Sequence, residues 1–92
     1  MEDVIITAMN PTGFSGRFEN KGATGNWDAT GTKILNRVNG DMPGYGSYEA
    51  NREGENTWRY HPNFTDPEKA AALIQNMEEA VAGIQQKLDA QN

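Results

Sequence analysis

The feature that most constrains this chain is its last third, which reads as one long amphipathic α-helix from Thr65 or Asp66 to about Ala90. Ala70, Ile74, Met77, Val81, Ile84 and Leu88 recur at alternating four- and three-residue steps, the a/d seam of a heptad pattern. Leu73 and Ala80 widen that stripe. Lys69, Gln75, Asn76, Glu79, Gln86 and Asp89 fall on the opposite side, with Gly83 among them. Two starts compete. Thr65 can cap with Glu68 closing a capping box, or Asp66 can cap with Pro67 at the first helical position.

A helix of about 24 residues is roughly 36 Å long. A compact chain of 92 residues, if spherical, is about 32 Å across. The expectation is therefore that the last turns outrun their own sheet and need cover from elsewhere. Ile74, Met77, Val81, Ile84 and Leu88 become the expected self-association face of a homo-oligomer, most simply a dimer.

Residues 1–64 differ in kind, since nine of the ten glycines lie before residue 55. Asp3–Met9 is rich in Val, Ile and Thr and reads as a strand, with Asn10–Gly13 as the turn behind it. Phe14–Glu19 alternates apolar and polar residues with period two and reads as its hairpin partner. Asn20–Gly31 reads as a loop, or an irregular strand around Trp27. Thr32–Val38 reads as strand, with a short helix ending at Asn39-Gly40 as the competing reading. Gly46–Ala50 and Thr57–His61 form another hairpin around the polar loop Asn51–Asn56, with Trp58 and Tyr60 on its core face. The fold class expected is α+β: a single domain with a small antiparallel sheet of four or five short strands and the long C-terminal helix packed on it. Core candidates are Phe14, Phe18, Trp27, Trp58, Tyr60, Leu73, Ile74, Met77, Val81 and Ile84.

Composition narrows the function classes. The chain has no cysteine, which removes disulfides, thiolate chemistry and most structural zinc sites, and favours a reducing compartment, the cytoplasm. Met1–Thr7 is acidic with only a brief apolar run, unlike a secretory signal, and nothing approaches the ~20 apolar residues of a membrane span. Thirteen acidic and eight basic residues give a net charge of −5, which disfavours direct nucleic-acid binding and suits a basic partner surface.

Tests for chemistry return little. One histidine, His61, and no cysteine offer no converging metal ligands. The glycine-rich stretch Gly25–Lys33 fails the spacing of a phosphate loop, because Thr32 separates Gly31 from Lys33. No nucleophile-elbow pattern surrounds Ser15 or Ser47. No enzyme activity and no cofactor are expected. The leading expectation is a non-enzymatic protein-binding module, a small acidic inhibitor of the kind phages and mobile elements encode. Its target would be a protein, such as a basic nucleic-acid-handling one. The expected contacts are Glu49, Arg52, Glu53, Glu55 and Arg59 around the polar hairpin, with Glu78 and Glu79 on the helix. Two alternatives stand beside it: a structural subunit of a larger assembly such as a virion, and a nucleotide-type ligand binder with a pocket of Trp27, Tyr45, Tyr48 and Trp58.

Overall fold

The computed structural model describes the backbone of residues 4–9, 15–30 and 34–90, and the side chains of the last two spans. Strands β1 (Val4–Met9), β2 (Ser15–Asn20), β3 (Ala23–Thr30), β4 (Ile34–Met42), β5 (Gly46–Gly54) and β6 (Thr57–Asn63) pair in chain order as one antiparallel meander. A 3₁₀ turn, Pro67–Lys69, then leads into helix α1 (Ala70–Asp89), which packs on one face of the sheet. The α+β class and the long terminal helix are as expected, and the sheet has six strands. The expected turn Asn10–Gly13 and the core candidate Phe14 lie outside the described residues.

Asn20–Gly31, expected as a loop or an irregular strand around Trp27, holds the strand β3. Its hairpin with β2 closes through Lys21 (φ 52°) and Gly22 (φ 89°), two successive positive-φ residues that match the twist of the flanking strands as a type I′ turn does. Asn39-Gly40 is not a turn but lies inside β4, and the chain reverses at Pro43-Gly44, where the Tyr45 N–H donates to the Met42 carbonyl at 2.9 Å. Pro43 holds φ for the first central position and Gly44 (φ 86°) supplies the positive φ of the second, so the proline makes the turn that β5 needs. Of the two helix starts, Asp66 is the cap: its carboxylate accepts from the Glu68 N–H at 3.0 Å, with Pro67 just inside.

The register sorts the side chains by face. Phe18, Gly25, Gly40, Tyr48 and Pro62 form one row across β2–β6 on the helix side, and Gly16, Trp27, Val38, Ala50 and Tyr60 the next. Gly25 cannot carry a side chain, since a Cβ there would stand 1.8 Å from the Asn39 carbonyl oxygen. On the other face Arg17, Asn26, Asn39, Glu49 and His61 share one polar row across β2–β6. Such an antiparallel sheet buries one side and leaves the other to water.

The core sits between that inner face and α1. Phe18, Trp27, Leu73, Met77, Val81 and Ile84 are buried as expected, joined by Leu35, Val38, Tyr48, Ala50, Ala80 and Leu88. Trp58 and Ile74 are half-buried, and Tyr60 stays 38% exposed on the edge strand. The self-association face needs correction. Ile84 and Leu88, expected to lack cover, are each 0% exposed, with Met77 and Val81 also buried, so the stripe is a core face. The spherical estimate misled, because the described residues extend 40 × 26 × 18 Å and leave room for the helix along the long axis. The helix is also rotated from the expected seam: Asn76 and Gly83, assigned to the outer side, are both buried.

Candidate functional site

Two polar clamps tie α1 to the sheet, one near each end, and they differ in what they leave open. The first is closed. Asn76 donates through Nδ2 to the Asn20 carbonyl at 3.0 Å and accepts from the Tyr48 hydroxyl at 2.8 Å. Asn20 in turn donates from Nδ2 to the Asn76 carbonyl at 3.3 Å and to the Glu79 carboxylate at 3.4 Å. Glu79, one helical turn beyond Asn76, also takes the Lys21 ammonium at 3.2 Å, so helix and hairpin turn are locked together. Burial works against the Glu79 carboxylate, but the hydrogen bonds from Lys21, Asn20 and Gln75 outweigh it and lower its pKa. The Tyr48 phenol is pushed well up, first by burial and then by the nearby charge of Glu79. Its ring lies over Gly40, where a Cβ would come within 2.7 Å of Cζ.

The second clamp borders an open cleft. Gln85 Oε1 accepts from the Leu35 N–H and from Arg52 Nη2, each at 3.1 Å. Arg52 also donates to the Leu35 carbonyl at 2.6 Å and to the Glu55 carbonyl, and stacks over the Trp58 ring with its carbon 4.8 Å from the centroid. The guanidinium thus holds the start of β4 against the tip of the β5–β6 hairpin. Beside it lies a cleft of about 600 Å³, bordered by Ile34, Arg52, Glu53, Glu55, Gln85 and Asp89. Ile34 is 51% exposed there, an apolar floor next to an acidic rim. Asp89 is held on that rim by the Gln85 amide at 3.0 Å.

The sequence-selected contacts divide accordingly. Arg52, Glu53 and Glu55 come together at the cleft. Arg59 joins them at one remove, as the ion-pair partner of Glu53. Glu49 lies on the polar sheet face, bound to Arg37 at 3.2 Å, opposite His61 in the register. Glu78 is exposed on the helix, whereas Glu79, expected to be exposed, belongs to the closed clamp with its side chain 17% exposed. These residues therefore do not form one surface. The aromatic pocket is not formed either: Trp27 and Tyr48 are sealed in the core, Trp58 lies under Arg52, and Tyr45 lies under Lys69.

Sequence reasoning missed Ile34, Gln85 and Asp89 as cleft residues. Ile34 read only as part of the Thr32–Val38 strand, and nothing local reveals that Gln85, 50 positions beyond Leu35, meets the Leu35 N–H. Among the described residues no three His, Cys, Asp or Glu side chains converge as a metal site would require, and no helix is long and apolar enough to cross a membrane. Comparison with protein-family models, with curated proteins and with solved structures yields no match to this chain.

Proposed function

We propose that this chain is a non-enzymatic protein-binding module that occupies a basic surface of its partner, as a small inhibitor would, through the cleft at the β5–β6 tip. One observation carries the reading: an exposed isoleucine lies within a rim of carboxylates while the only arginine on that rim is tied inward to carbonyls, an amide and a ring. That arrangement suits an incoming lysine or arginine, whose aliphatic stem covers Ile34 while its charged end meets Glu55. The net charge of −5 adds long-range attraction for a basic partner and speeds encounter at low salt.

The test is capture from nuclease-treated lysate by the wild-type chain, by Glu53→Lys/Glu55→Lys and by Glu19→Lys/Asp41→Lys. The last pair makes the same charge change on the polar sheet face. A stoichiometric protein lost only by the cleft variant supports the reading. Equal loss by both variants reduces the effect to net charge and removes the cleft from it. Recovery of self-copies alone points instead to a structural subunit.

A further inference from the structure

The inner face of the sheet is not evenly covered. Helix α1 lies over β4 and β5 and reaches β6 only at its margin, so Tyr60 keeps 38% of its surface and Phe64, just beyond the strand, 41%. Among the described strands β6 also ends the sheet, with β5 on one side and no strand on the other.

Pro62 tells which backbone groups face that open side. It stands opposite Tyr48 within an unbroken register from Trp58 to Asn63. A proline has no N–H for β5, and a paired strand accommodates it with its nitrogen turned to the free edge. Two-residue alternation then turns the N–H and C=O groups of Trp58 and Tyr60 to the same side. Their side chains, by the same register, lie on the helix side of the sheet. The edge therefore pairs free backbone groups with a partly open aromatic ledge, and Pro62 ends the run of donors.

We propose that this edge receives an extended, lysine- or arginine-bearing segment of the protein partner as a seventh strand, its cation set beside Glu78 on α1. The inference rests on the protein-binding reading and adds a second contact to it. Charge chooses the occupant. Glu78 is exposed on α1, the helix that borders the inner side of β6, and burial first and then the Glu78 charge push the Tyr60 phenol pKa up. On the opposite face of β6 the positive charge of Arg59 is already neutralised by Glu53. A second copy fits worse, since two chains of net charge −5 repel one another.

The experiment is an NMR titration of the ¹⁵N-labelled chain with a seven-residue peptide alternating lysine and valine. Two controls are the same peptide with glutamate for lysine, and with alternate amides N-methylated. Strand addition predicts shifts and slowed exchange at the Trp58 and Tyr60 amides with the lysine peptide alone. Glu78→Lys should weaken that binding about two- to fivefold, the range of an exposed charge pair. Equal binding of the N-methylated peptide would overturn strand pairing, and equal binding of the glutamate peptide would overturn the choice of cation. Shifts confined to Ile34, Glu55 and Asn56 would overturn the edge site while leaving the cleft reading standing. Concentration-dependent broadening of β6 without peptide would assign the edge to a second copy and overturn the proposal.

Discussion

The two ends of the helix–sheet seam use the same kind of residue to opposite effect. Asn76 and Gln85 are side-chain amides on one helix, nine residues and about 13 Å apart, and each binds both backbone and side-chain groups of the sheet. Asn76 is buried, and its partners have no access to water. Gln85 is half-buried at the mouth of a cleft. One end is therefore a structural lock, where each bond is needed because nothing can replace it. The other is an open margin of the surface, where water can enter.

The largest expected effect is at the lock. Asn76→Ala leaves the Tyr48 hydroxyl buried without its partner and removes the side-chain bond to the Asn20 carbonyl, and should lower stability by about 3 kcal/mol. Urea unfolding reads this directly, and a loss below about 1 kcal/mol would show the lock to be ornamental. Gln85→Ala removes the bonds to Leu35, Arg52 and Asp89 but opens their groups to solvent, so its loss should be about 1 kcal/mol. Equal losses from the two variants would break the comparison.

Arg52→Lys sharpens it. Lysine keeps the charge but lacks the fork that holds the Leu35 and Glu55 carbonyls together, so a loss of about 1–2 kcal/mol is expected with increased hydrogen exchange at the hairpin tip. Unchanged exchange there would mean that Arg52 does not shape the cleft.

The smallest effect concerns pH. Because the folded-state pKa of Glu79 is lowered, its stabilising contribution is complete above its unfolded value near ~4.3 and is lost as pH falls through the folded value. The stability gap between wild type and Glu79→Gln should therefore be widest near neutrality and shrink below about pH 4. A gap independent of pH would remove Glu79 from the lock.

Most of the architecture was legible because it is local. The cap Asp66-Pro67, the apolar spacing of the helix and the alternation in β2 and β6 each act within a few residues. What was hidden is non-local or chemically disguised. β3 carries Gly25 and Asn26, both poor strand formers, and Gly25 is needed where the Asn39 carbonyl approaches closely. Asn76 looks like a solvent-facing residue, and only its partner 56 positions earlier makes it a core one. Placing Asn76 and Gly83 on the outer side rotated the expected helix face, while the spherical size argument left Ile84 and Leu88 wrongly uncovered. Of the candidate site, Arg52, Glu53 and Glu55 were recognisable as a polar hairpin. The apolar floor and the helix side of the cleft required the fold.

The measurement that bears most directly on the central claim is amide-shift mapping of the captured partner on the ¹⁵N-labelled chain. The account predicts perturbation at Ile34, Asn36, Glu53–Asn56, Gln85 and Asp89, with the closed end around Asn20 and Asn76 unmoved. Perturbation centred on the polar sheet face, at Arg17, Asn26, Asn39 and Glu49, with the cleft silent would contradict it.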